Sequence, residues 1–80
     1  MTPTIVLRRG SEERTFVVLF SNGALHIFWQ MAGEYVINED GTVEPFPRRK
    51  RRVPLGAVAG WRADPMDVER LLARLRRKSA

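Results

Sequence analysis

Five consecutive cations are the residues of this chain whose types and spacing most clearly indicate chemistry. Like charges at this density cannot be packed inside a small protein, so they must face water or a polyanion. We therefore predict an exposed loop over residues 47–53 that contacts phosphates. Its phosphate-binding residues are Arg48, Arg49, Lys50, Arg51 and Arg52. Two other interpretations stay open: a solvated loop tip, and a transport signal, because residues 47–53 resemble a one-part nuclear import signal.

The charge of the chain is unevenly distributed. Residues 1–46 carry three basic and six acidic side chains, a net charge of −3, whereas residues 47–80 carry eleven basic and three acidic side chains, a net charge of +8. Twelve of the 14 basic residues are arginine, whose planar fork pairs with phosphate through two hydrogen bonds and stacks on bases. A genome rich in arginine codons, or a thermophilic source, would explain the same bias.

Aromatic side chains near basic residues could form the platform on which unpaired bases stack. The best candidates are Tyr35, Phe46 and Trp61, whereas Trp29 is predicted to be core. The competing interpretation is that all of them are core, because a small β-rich protein needs large side chains to build one.

Three arginines repeat at helical spacing near the end of the chain. Arg70, Arg74 and Arg77 fall opposite the apolar stripe of a predicted helix, where they could extend the basic surface. The alternative is an ordinary solvated helix face.

Other chemistry has little support in this sequence. There is no cysteine, which excludes disulfides and cysteine-based metal sites, and the single histidine, His26, is assigned no role. No nucleophile motif or phosphate-binding glycine loop is present, so we predict neither an enzyme nor a cofactor. No apolar run approaches the ~20 residues of a membrane span, which favours a cytoplasmic protein, or a nuclear one if the import signal operates.

The first half of the chain reads as strands joined by tight turns. The predicted strands cover residues 4–8, 14–20, 24–31, 34–38 and 42–46. Asn22-Gly23 predicts a hairpin turn, because both central residues of a type I′ turn need positive φ. Within the second of these, residues 15–20 are apolar or β-branched without alternation, which favours a central strand covered on both faces. In the third strand the face carrying Leu25, Ile27, Trp29 and Met31 is the better core candidate.

The second half contains one secure element, an amphipathic helix over about residues 65–78. Asp64 is a good N-cap and Pro65 suits the first helical position. The apolar stripe of this helix consists of Val68, Leu71, Leu72 and Leu75. Residues 53–58 predict either one more short strand or an irregular segment, and Pro45 and Pro47 push the strand before them to a sheet edge.

One stretch is similar to a known family. Glu34-Tyr35 is followed at set spacing by Gly41 and Pro45, then by the cations 48–50 and by Val53-Pro54-Leu55. With an antiparallel meander and a closing helix, this order resembles the transcriptional-coactivator positive cofactor four family. The resemblance implies a homodimer that binds single-stranded DNA on a curved sheet. Here the basic loop is about three residues longer than in the family.

Together these features predict one α+β domain over residues 1–80: an antiparallel β-meander of four to six strands followed by one C-terminal helix. The predicted function is sequence-tolerant binding of single-stranded DNA or RNA through the basic loop and stacking aromatics. The alternative is a small regulatory module that docks on an acidic protein partner. A chain of this length has a marginal core, which favours a homodimer.

Overall fold

The structure is a computed structural model and describes residues 2–29, 32–46, 54 and 56–79. These residues form an antiparallel β structure followed by one α-helix, which confirms the predicted α+β architecture. The elements are β1 (Thr4–Arg9), β2 (Glu12–Val17), β3 (Leu19–Ser21), β4 (Ala24–Trp29), β5 (Gly33–Ile37), β6 (Val43–Pro45), a 3₁₀ helix (Gly56–Val58), β7 (Arg62–Ala63) and α1 (Pro65–Ser79). The predicted basic loop, residues 47–53, lies outside the described residues.

The strands form two antiparallel sheets, and the chain runs directly from one sheet into the other. The first sheet has the order β2-β1-β7 and the second the order β3-β4-β5-β6. The chain passes from the first sheet to the second at Val18, whose N–H donates to the Pro3 carbonyl at 2.9 Å. The prediction of a single central strand over 14–20 is therefore wrong. The run breaks at Val18, and both pieces are edge strands.

The apolar residues of that run serve different purposes, which is why its pattern misled. Phe16 and Phe20 pack against the core, but Val17 and Leu19 are 62% and 49% exposed. This unbroken apolar run therefore marks the place where the chain crosses from one sheet to the other. It does not mark a strand buried on both faces, since two of its residues are exposed.

The Asn22-Gly23 turn between β3 and β4 forms as predicted. Asn22 has a φ of 52° and Gly23 a φ of 77°, the two positive values that a type I′ turn requires. In β4, Leu25, Ile27 and Trp29 are buried, which confirms the predicted core face over the described residues. Met31 lies outside them.

The segment before the helix differs from its prediction. Of the two alternatives for residues 53–58, a strand or an irregular segment, the strand does not form over residues 56–58, which make a 3₁₀ helix, and β7 was not predicted. β7 pairs with β1 through Leu7 opposite Ala63, and the Ala63 N–H donates to the Gly41 carbonyl at 2.9 Å. This two-residue strand depends on partners 22 and 56 positions away in the chain, so its local sequence carried no strand signal.

Helix α1 begins and packs as predicted. The Asp64 carboxylate accepts a hydrogen bond from the Met66 N–H at 2.8 Å, and this caps the helix. Val68, Leu71 and Leu72 are buried in the common core. Leu71 shares a cleft with Ile5 of β1, whereas Leu72 shares another with Leu25 and Ile37, so the helix bridges the two sheets.

Candidate nucleic-acid interface

The second sheet has one face in the core and one face turned outward. Directly opposed residues in antiparallel strands point to the same side, so the register assigns each residue to a face. The outward side, which we call the outer face, carries Leu19, His26, Phe28, Glu34, Val36, Glu44 and, after the last strand, Phe46. The other side contributes Leu25, Ile27, Tyr35 and Ile37 to the core.

Two aromatic rings are accessible on the outer face. Phe28 is 58% exposed and Phe46 is 36% exposed. The Phe46 ring meets the imidazole of His26 edge-to-face, with centroids 4.8 Å apart and planes at 89°. Phe46, one of the predicted stacking residues, is therefore accessible. Phe28 joins it, although its alternation with the core residues Ile27 and Trp29 was the only sequence signal that pointed to it.

A buried polar pair lies beneath these rings. His26 Nδ1 lies 2.7 Å from Glu34 Oε2, and both side chains are buried. His26 Nε2 lies 3.2 Å from the Ser21 carbonyl, which can only accept, so this nitrogen carries a hydrogen. His26, which was assigned no role, thus connects β3, β4 and β5 under the outer face.

Two described residues that flank the predicted basic loop are hydrogen-bonded to neighbouring residues of β5. The Phe46 N–H donates to the Glu34 carbonyl at 2.9 Å, and the Tyr35 hydroxyl donates to the Pro54 carbonyl. Tyr35 faces the core, so Pro54 is held from the core side of β5, whereas Phe46 lies on the outer face.

The structure corrects the predicted role of Tyr35. Its side chain is fully buried, so its ring cannot stack on a base. Burial raises the pKa of its hydroxyl above the usual value, which keeps the group protonated as a hydrogen-bond donor. Tyr35 is therefore a core residue that anchors the end of the basic segment.

Trp61 is also core rather than a stacking platform, because only 3% of it is exposed. Its ring packs against Trp29 at a centroid distance of 5.3 Å, with the planes at 62°. The guanidinium groups of Arg9 and Arg14 cover it, at 4.9 and 5.1 Å from its ring centroid. Sequence spacing could not reveal this cover, since Arg9 and Arg14 lie about fifty positions before Trp61.

The predicted helix cations are exposed but lie at another place on the surface. Arg70 and Arg74 line a cleft of about 250 Å³ with Thr4 and Val6 of β1. The Arg77 Nε–H donates to the Ala73 carbonyl at 3.3 Å. Within the described part of the chain, no contact joins these arginines to the outer face, so the structure does not unite them with Phe28 and Phe46.

An apolar groove adjoins the exposed ring of Phe28. It has a volume of about 620 Å³ and is lined by Thr2, Pro3, Phe16, Val17, Val18, Leu19 and Phe28. None of its described lining residues is charged, and it opens where the chain passes from one sheet to the other. Phe16 also stacks on Trp29, with centroids 4.9 Å apart, so the groove and the tryptophan pair are in contact.

Comparisons with protein families, with curated proteins and with solved structures found no match to this chain. Over residues 2–29, 32–46, 54 and 56–79, no three acidic or histidine side chains come together as metal ligands. In the same part of the chain, no helix is long and apolar enough to cross a membrane.

Proposed function

We propose that this protein binds single-stranded nucleic acid, with little sequence preference, across the outer face. In this proposal Phe28 and Phe46 stack on bases, and the cations Arg48 to Arg52 neutralise the phosphates beside them. The observation that carries the proposal is that two accessible aromatic rings lie on the outer face, and that one of them, Phe46, directly precedes the run of five cations in the sequence.

The exposed rings support base stacking over a purely structural role. Phe28 is 58% exposed, so it adds little to the core from that position, whereas its neighbours Ile27 and Trp29 supply the core. Stacking is tolerant of sequence because every base has a π-face, and it contributes about 1–3 kcal/mol per base.

The charge distribution supports separate roles for the aromatic rings, which stack on bases, and for the cations, which bind phosphates. The described residues of the outer face include the carboxylates of Glu34 and Glu44 but no lysine or arginine. Phosphate contacts near these rings would therefore come from residues 48–52. A single residue separates Phe46 from Arg48, the first of these cations, in the sequence.

The test is oligonucleotide binding by fluorescence anisotropy over a series of salt concentrations. If the segment contacts about four phosphates, log affinity should fall with log salt at a slope near −3, about 0.7 per contact. The double variant Arg49→Ala, Arg51→Ala should reduce that slope by about 1.4 and weaken all sequences alike. Phe28→Ala should lower the affinity but leave the slope unchanged.

Met66→Ala is the matched control for Phe28→Ala, because Met66 is an apolar residue on α1 that is 54% exposed. Its binding should equal that of the parent. If the double variant binds like the parent at every salt concentration, residues 48–52 are a solvated tip or a transport signal, and the proposal fails.

The second candidate function is protein docking, which the uncharged groove beside Phe28 favours. Exposed apolar patches of this kind mark interaction sites in many proteins. The groove suits a second copy of this chain, and the exposed helix arginines suit an acidic partner. Sedimentation at micromolar concentration should give twice the chain mass for a homodimer, and a monomer up to about 100 μM would exclude it.

A further inference from the structure

Arg14 occupies a notch between two tryptophan rings. Its guanidinium carbon lies 5.3 Å from the ring centroid of Trp29 and 5.1 Å from that of Trp61. The two indole planes meet at 62°, so the cation contacts both rings at once. Cation–π contact and packing restrict the side chain, so less freedom is lost when its N–H groups bind a ligand.

The neighbouring arginines are engaged by carboxylates, but Arg14 is not. Arg8 pairs with Glu13 at 2.8 Å, and Arg9 pairs with Glu12 at 2.8 Å. Among the described residues, Arg14 makes neither a hydrogen bond nor an ion pair, although it is exposed to solvent. Its five N–H donors form a fixed fork that matches the geometry of an oxyanion.

The position of Arg14 continues the proposed binding surface. Phe16 lines the apolar groove together with Phe28, and its ring stacks on Trp29, which Arg14 covers. Arg14 and Phe16 also lie two positions apart on the same side of β2, so Arg14 is the next side chain along the strand from the ring that lines the groove. A strand that stacks on Phe28 and passes along the groove would bring a phosphate to this cation.

We propose that Arg14 binds a phosphate of the single strand, as a second anchor separate from residues 48–52. This inference rests on the proposed function. It assigns the strand a direction across the molecule, from the basic segment at Phe46, over Phe28 and the groove, to the Arg14 notch. A carboxylate on an acidic protein has related chemistry and is distinguished in the experiment.

The experiment compares Arg14→Met, Arg14→Lys and the control Arg8→Met in the full chain. Methionine keeps an unbranched side chain over the indoles and removes the charge, whereas lysine keeps the charge and removes the fork. Arg8 lies on the opposite face of the same sheet, because it is opposed to Glu13 while Arg14 is opposed to Leu7. Thermal unfolding and near-ultraviolet circular dichroism establish that each variant keeps the packing around the tryptophans.

The expected result with a thymidine oligonucleotide is a specific loss for Arg14→Met. Its affinity should fall about tenfold, the cost of a lost charge-assisted hydrogen bond, and its salt slope should fall by about 0.7. Arg14→Lys should keep the slope but bind more weakly than the parent. Arg8→Met should match the parent in both quantities, and a purely structural role of Arg14 would leave the slope unchanged.

A result that contradicts the Arg14 anchor differs from a result that contradicts the proposed function. If Phe28→Ala weakens binding but Arg14→Met and Arg8→Met have the same slope, the Arg14 anchor is excluded and the proposed function stands. If the parent does not bind the oligonucleotide, both proposals fall. If polyglutamate binds in an Arg14-dependent manner and the oligonucleotide does not, the ligand is a carboxylate and the phosphate assignment is wrong.

Discussion

The hydroxyl of Tyr35 donates a hydrogen bond to the carbonyl of Pro54, 19 positions later in the chain. The ring of Tyr35 is buried in the core, whereas Pro54 is exposed at the end of the basic segment. One side chain therefore connects the packing of the core to Pro54, two positions after the last of the proposed phosphate-binding residues in the sequence. This bond makes Tyr35 a positioning residue rather than a residue that stacks on bases.

Tyr35→Phe should separate the ring of Tyr35 from its hydroxyl. The buried ring is kept, so the free energy of unfolding should fall by only about 0.5–1.5 kcal/mol, the net worth of one hydrogen bond. Because the end of the segment is released, oligonucleotide affinity should fall several-fold, but the salt slope should not change. Urea unfolding and anisotropy measure the two effects. Parental affinity in this variant would show that the bond does not hold the binding surface together.

The His26–Glu34 pair should behave as a coupled unit. His26→Leu or Glu34→Leu alone removes a 2.7 Å hydrogen bond from a buried polar partner, which costs about 1–3 kcal/mol. The double variant should cost less than the sum of the single variants, with a coupling energy of about 0.5–3 kcal/mol. Urea unfolding of the four proteins gives the cycle. Strict additivity would mean that the pair contributes nothing beyond its separate members.

Leu72→Ala should test the attachment of helix α1 to the sheets. Leu72 is 4% exposed and lies in the middle of the apolar stripe, so truncation should cost about 2–5 kcal/mol. Arg74→Ala, two residues further along on the exposed side of the helix, should change the free energy of unfolding by no more than about 0.5 kcal/mol. Thermal unfolding compares them, and equal melting temperatures would contradict the buried stripe.

Gly41 should tolerate substitution less well than Gly10, although both have positive φ. Gly41 has a φ of 90°, and an added Cβ would lie 2.1 Å from the Ala63 carbonyl oxygen. Gly10 has a φ of 60° and open space around it. Gly10→Ala should therefore cost about 1–2 kcal/mol from backbone strain alone. Gly41→Ala should cost more, because the turn must also move away from β7, and a similar loss in both variants would refute the close contact.

Asp40 should contribute a pH-dependent part of the stability. The Thr42 hydroxyl donates to its carboxylate at 2.6 Å and the Thr42 N–H at 3.0 Å, and these bonds hold the pKa of Asp40 below its usual value. A lowered pKa stabilises the folded state above the unfolded value of about 3.9, and this contribution is lost as the pH falls through the folded value.

The stability difference between the parent and Asp40→Asn should therefore shrink as the pH is lowered from 7 to 2 in urea unfolding experiments. Thr42→Val removes the hydroxyl donor and should reduce the same pH-dependent part. A difference that stays constant over the whole range would contradict the assigned hydrogen bonds.

Local sequence determined the elements whose signals lie within a few residues. The Asn22-Gly23 turn follows from the φ values that these two residues tolerate. Helix α1 follows from the Asp64 cap and the 3.6-residue repeat of its apolar stripe. The basic character of residues 48–52 likewise follows from the amino-acid sequence alone.

Only the tertiary structure decided which aromatic rings are accessible. Tyr35 and Phe28 both lie in strands, and alternation places each on a face but does not say which face another element covers. Contacts with residues far away in sequence bury Tyr35 and Trp61, whereas Phe28 remains exposed. The Arg14 notch arises in the same way, because its two rings come from β4 and from the turn before β7. Distant partners, which no local pattern specifies, thus determine where the candidate interface lies.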